Sequence, residues 1–341
     1  MRYMLIAVGV VVLAIIGAII WDRSGTSPAK HQDGMIVSLD GRCGVVDRDG
    51  KWVINPQFSA LWRFEEGLAP ASDGEKWGYV DGKGKWVIPA QYAAAYLFSG
   101  NGLGAVDTGN GAGFIDKKGR MVVEPRFEAT EEFSDNGLAA ASEAGLWGYV
   151  DKTGKWVIAA QFDEASMFHD GLAAVRMGER WGYVAKDGTM AINPQFSAAS
   201  SFDDGRAAAA LDGRYGWIDK KGVWVINPQF DQAGPDFDGG LAPALQGRSW
   251  GFVDKDGAWV INPQFEQVGW FEDGLAPASL YGRWGFIDKQ GKWAIPAQFA
   301  GAGAFDDGLA PARLGDKWGF VDKKGKWSIN PQFGGNLQNC I

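Results

Sequence analysis

Tryptophan is the side chain of this protein best equipped to bind something. The chain has 17 of them, and 14 stand inside blocks that recur along its length. Flat indole faces stack on sugar rings or cage choline-like cations. The rings in question are Trp77, Trp86, Trp147, Trp156, Trp181, Trp250, Trp259, Trp284, Trp293, Trp318 and Trp327. Two readings stay open for them. They are core glue between neighbouring copies, or they form a repeated groove of half-exposed rings.

Other chemistry is sparse. His31 and His169 are far apart, and no His/Cys cluster has metal-ligand spacing. No phosphate-cradling loop, nucleophile elbow or two-histidine zinc motif occurs. His169 stands where other copies carry an acid, as in Phe168-His169-Asp170-Gly171 against Phe202-Asp203-Asp204-Gly205, and reads as a turn residue. The acidic turns Glu65-Glu66-Gly67, Asp203-Asp204-Gly205, Glu272-Asp273-Gly274 and Asp306-Asp307-Gly308 invite a calcium reading. Calcium needs six or more oxygens, and each turn offers two carboxylates without the spaced ligands of a calcium loop. Near-identical copies argue against one asymmetric active site, so the expectation is no enzyme and no cofactor. Cys43 and Cys340 are the only cysteines. Either each is an unpaired cap thiol, or they form a disulfide, which requires a ring-like array and an oxidising compartment.

The elements that carry these residues are set by a period. Gly44, Gly78, Gly113, Gly148, Gly182, Gly216, Gly251, Gly285 and Gly319 recur every 34 or 35 residues, which makes nine copies. In the fourth copy Trp147-Gly148-Tyr149-Val150-Asp151 and Lys155-Trp156-Val157-Ile158 are aromatic and β-branched, as strands require. The Asp-x-x-Gly between them is hairpin chemistry: Asp bonds its own backbone two residues on, and Gly tolerates positive φ. It recurs from Asp47–Gly50 to Asp322–Gly325, and Ala185 breaks it once. A third short strand is Gly-Leu-Ala-Pro-Ala, whose proline implies an edge or bulge. Neither face of the hairpin is wholly polar, so copies must stack to bury both.

The blocks Lys317-Trp318-Gly319-Phe320-Val321-Asp322, Lys326-Trp327, Asn330-Pro331-Gln332-Phe333 and Gly308-Leu309-Ala310-Pro311-Ala312 resemble the WG-containing (KWG) repeat family. The resemblance covers about nine-tenths of the chain. It implies a bacterial β-repeat protein, often envelope-associated, and names no general activity. Copy six departs from it with Tyr215-Gly216-Trp217, and copies one and three carry Cys43 and Ala112 in place of the leading tryptophan.

The remaining inferences come from charge and from the N-terminus. Net charge is −8 without a basic run, so nucleic acid is not an expected partner. Met4 to Trp21 is an unbroken apolar run of 18, long enough for a signal anchor. A cleaved signal peptide, giving a secreted protein, is the alternative. The division expected is a transmembrane anchor over 1–22, a polar linker over 23–33, the array over 34–333 and a tail over 334–341. The fold expected is all-β, nine three-stranded meander units stacked as a solenoid-like array. A β-propeller-like closed array is the alternative, disfavoured by three strands per unit rather than four. The function expected is a membrane-tethered, extracytoplasmic protein-binding scaffold in the periplasm or at the cell surface. Binding of carbohydrate or peptidoglycan by exposed tryptophans is the alternative.

Overall fold

A computed structural model describes residues 34–334 and Cys340. The expected membrane segment, the linker and most of the tail lie outside the described residues. Among those described, no helix is long and apolar enough to cross a membrane.

The strands of the described residues form nine antiparallel sheets, one of three strands and eight of four. A representative sheet runs Ala60–Leu61, Leu68–Ser72, Trp77–Asp81 and Trp86–Tyr92, in that spatial order. The lead strand, two residues long in six sheets and five in Ala94–Phe98 and Ala129–Phe133, is the element that a three-stranded reading lacks. It starts two residues after the closing aromatic and passes the chain from one sheet to the next. With it, the unit has the four strands of a propeller blade. The first sheet also shares a core with the last, through Val37, Val46, Phe320, Ile329 and Phe333. The open solenoid-like stack is therefore corrected to its alternative, the β-propeller class.

The Gly-Leu-Ala-Pro-Ala strand is interior rather than at an edge, which corrects the reading of its proline. Pro70 accepts a hydrogen bond from the Trp62 N–H at 3.0 Å, just beyond the two-residue lead strand. Its own nitrogen faces the place where the ladder has already stopped. In copy six the equivalent N–H, that of Ala208, donates to Ser200 Oγ at 2.9 Å instead.

The hairpin turn follows the residues. Lys83 and Lys85 N–H groups donate to Asp81 Oδ1 at 2.9 and 3.0 Å, and Gly84 takes φ +74°. These bonds favour the ionised Asp81 and hold its carboxyl below the usual range, the Lys85 N–H contributing most. Where Ala185 replaces the aspartate, Asp187 supplies the acceptor, taking the Thr189 N–H at 3.0 Å. The Trp-Gly glycine is required by a close approach. A Cβ on Gly182 would stand 2.5 Å from Ile192 O and 2.7 Å from Pro194 N of the paired strand, where the register shifts.

The described chain divides into two compact units. One comprises Phe98–Gln229, and the other the described residues up to Leu97 together with those from Phe230 onward. In the first, Phe127 meets Trp156 edge-on at 5.5 Å and Phe196 meets Trp224 at 5.6 Å, each pair joining consecutive copies. In the second, Phe58–Trp86, Phe230–Trp259, Phe265–Trp293 and Phe299–Trp327 do the same at 5.4–5.6 Å.

Candidate functional site

The tryptophans divide by position in the hairpin. Of those that precede the glycine, Trp147, Trp181, Trp250 and Trp284 are buried, at 5–9% exposure. Trp77 and Trp318 are half-buried. The second set, Trp86, Trp156, Trp259, Trp293 and Trp327, is half-buried, and each ring abuts the closing phenylalanine of the preceding copy. These rings are engaged in packing sheet against sheet.

One aromatic cluster does not follow the period. Trp62 lies 5.5 Å from Trp77 with the planes at 68°, and 6.1 Å from Tyr96 at 72°. All three rings are half-buried. The backbone fixes them: Trp62 N–H is held by Pro70 O, and the buried Tyr79 hydroxyl donates to Tyr96 O at 2.7 Å. Trp62 and Tyr96 hold the same place in consecutive copies. Aligned copies carry Glu131, Ser166, Ser200, Gly234, Gly269 and Gly303 there. A sequence scan centred on the Trp-Gly blocks passes over Trp62 and Tyr96. Column-by-column alignment of the copies is the signal that finds them.

The acidic turns have structural work. Asp170 Oδ2 accepts the Gly205 N–H of the next copy at 2.7 Å, and Lys220 Nζ reaches Asp170 Oδ1 at 2.7 Å. Asp273 and Gly308 repeat the first bond at 2.6 Å, with Lys323 Nζ 3.6 Å from Asp273 Oδ2. A carboxylate so engaged caps its neighbour's turn, and the two-oxygen calcium reading gains no further ligands. Among the described residues no group of three or more His, Cys, Asp or Glu could hold a metal. His169 is a turn residue, its N–H donating to Leu172 O at 2.9 Å.

The outward positions of the last strand form a second repeated feature. Val53, Val87, Val122, Val157, Val225 and Val260 are 42–48% exposed. Asn and Gln of the same strands, as Asn227 and Gln229, are exposed beside them. At the chain ends Cys43 and Cys340 form a disulfide across a sequence separation of 297.

A family model described as WG containing repeat matches residues 44–77, 77–111, 113–147, 147–181, 181–215, 215–248, 250–284, 284–318 and 318–335. No curated protein sequence matches the chain. Among solved structures, a eukaryotic initiation factor is similar with a TM-score of 0.62 at 9% identity, over 89% of this chain and 98% of that one. The dihydro-heme d1 dehydrogenase NirN, in complex with DHE, is similar with a TM-score of 0.53 at 11% identity, over 89% of this chain and 73% of that one. Likeness at such identities concerns the fold alone.

Proposed function

For a chain that belongs to the WG containing repeat family, we propose a non-enzymatic binding scaffold, anchored in a membrane through residues 4–21 and carrying its sheets outside the cytoplasm. The observation that carries the binding role is the exposed valine that recurs on the last strand of six sheets. The sheet does not need valine there, because Ala191, Ala294 and Ser328 hold the same place in other copies. A modest apolar contact repeated at a fixed interval suits a protein partner that engages several copies at once. Each contact is weak by itself, so affinity rests on how many are used together.

Two features support the location. The run from Met4 to Trp21 has the length and composition of an anchor. The Cys43–Cys340 disulfide is of a kind that persists in oxidising compartments.

Location is tested with a C-terminal tag and protease, applied to intact cells and then to opened envelopes. Cleavage before the inner membrane is breached is the expected result. Protection until the cytoplasm is opened would overturn the location. The surface is tested by the triple substitution Val122→Lys, Val157→Lys and Val225→Lys, all within the Phe98–Gln229 unit, which should abolish partner crosslinking and leave the melting temperature within about 2 °C. Unchanged crosslinking would sink the valine surface. Quenching of tryptophan fluorescence by muropeptides would favour the glycan alternative.

A further inference from the structure

We propose that Trp62, Trp77 and Tyr96 form a site for a small quaternary ammonium of choline type. This goes beyond the scaffold reading and stands or falls independently of it.

The repeat supplies the control. Five aligned copies carry Ser or Gly where Trp62 and Tyr96 stand: Ser166, Ser200, Gly234, Gly269 and Gly303. Those copies still form four-stranded sheets. A large ring at this place is therefore not a requirement of the fold. It occurs in two consecutive copies, and the rings gather with Trp77 instead of dispersing.

The angles select the ligand. Stacking a pyranose calls for a broad flat platform. Here the two ring pairs meet at 68° and 72°, making a corner. A corner of steep walls suits a compact group that presents C–H bonds in every direction, as a trimethylammonium does. The negative faces of indole and phenol attract its delocalised positive charge. The half-buried state leaves room for partial desolvation, which strengthens that attraction. Glu65 and Glu66 stand in the turn that follows Trp62, and the chain as a whole carries −8. That field favours a cation over an anion. Arg63 is the adjacent positive group, so the aromatic walls have to supply most of the selectivity.

The test is isothermal titration of the full chain in detergent with tetramethylammonium, choline, phosphocholine and 3,3-dimethyl-1-butanol, the uncharged isostere of choline. Tetramethylammonium and choline are expected to bind, with the neutral isostere at least fivefold weaker. Comparing choline with phosphocholine tells a free solute from a headgroup. Trp62→Ser and Tyr96→Ser, which install the residue of copies five and six, should each weaken choline at least tenfold in protein that still melts cooperatively at the assay temperature or above. Either variant alone suffices if the other folds poorly. Choline binding unchanged in a folded variant would overturn the site. Equal binding of the neutral isostere would overturn cation recognition, and no heat from tetramethylammonium or choline would overturn the ligand class.

Discussion

The sheet built from Ala198–Ala199, Arg206–Leu211, Arg214–Asp219 and Trp224–Phe230 and the sheet built from Met35–Leu39, Arg42–Val46 and Trp52–Phe58 share a hairpin and differ in how they are held. The first receives its lead strand from the chain that has just left the preceding sheet. Phe196 meets Trp224 edge-on, and Lys220 reaches back to Asp170. Among the described residues, the second has no preceding sheet to draw on. The end of the protein supplies the substitutes. Gly334 N–H donates to Ser38 O at 3.1 Å, in the register where Ser197 N–H meets Ala210 O. Phe333 packs on Trp52 at 5.9 Å, Arg48 bonds the Asp307 carboxylate where the interior uses lysine, and the disulfide is added. Sheets joined by continuous chain are held by packing and turn-to-turn polar bonds without a covalent cross-link. The sheet whose neighbour arrives across a separation of 297 residues has a covalent bond as well, and it bears the largest loop-closure entropy.

That contrast can be broken most forcefully at the cysteines. Cys340→Ser should lower stability by about 4–5 kcal/mol, and reductant should bring the parent chain to the same value. Chemical denaturation with and without reductant measures both, and a variant as stable as the oxidised parent would refute the account. Inside the Phe98–Gln229 unit the largest effect falls on the glycine. Gly182→Ala sets a methyl against Ile192 O and should cost about 3 kcal/mol. Trp224→Ala, which removes a half-buried ring and its edge-on contact with Phe196, should cost about 2–3 kcal/mol by the same measurement.

Acid sharpens the comparison further. Backbone N–H bonds hold the Asp73, Asp81 and Asp116 carboxyls below their usual value, and a Thr153 hydroxyl does so first for Asp151. Each favours ionisation more in the fold than in the unfolded chain. Their contribution is present above the unfolded value of about 4 and is lost as pH falls through the lowered ones. Stability should therefore be flat from neutral pH to about 4 and then decline, as thermal melts across pH will show. Smallest of all is Arg48→Ala. Its pair with Asp307 leaves the two side chains 51% and 82% exposed, and its loss should cost less than about 0.5 kcal/mol. A larger cost would mean that this exposed ion pair contributes measurably beside the disulfide.

The parts of this fold that were legible are those written in residue chemistry. Asp81 and Gly84 announce a hairpin turn, and Trp86-Val87-Ile88 announces a strand. The lead strand was not legible, because in six sheets it is two residues such as Ala60–Leu61, too short for an alternating pattern, and its longer forms Ala94–Phe98 and Ala129–Phe133 share no residue motif. Missing it made the open stack look better than the propeller. The tryptophans were visible as a set, and their burial was not, because a ring has the same identity whether it faces a neighbour or a solute. Trp62 and Tyr96 were obscured by the opposite problem. They lie outside the motif, and attention to what repeats hides what does not.

The bond between Cys43 and Cys340 also changes what a break in the chain means. With it in place, the polypeptide between these residues is a covalent circle. One protease cut anywhere within it opens the circle and frees no fragment. The nicked protein keeps its mass until a thiol or a second cut arrives. A protein exposed to proteases thereby tolerates a first wound, and only the ratio of reduced to non-reduced bands on a gel would reveal that it had been hit.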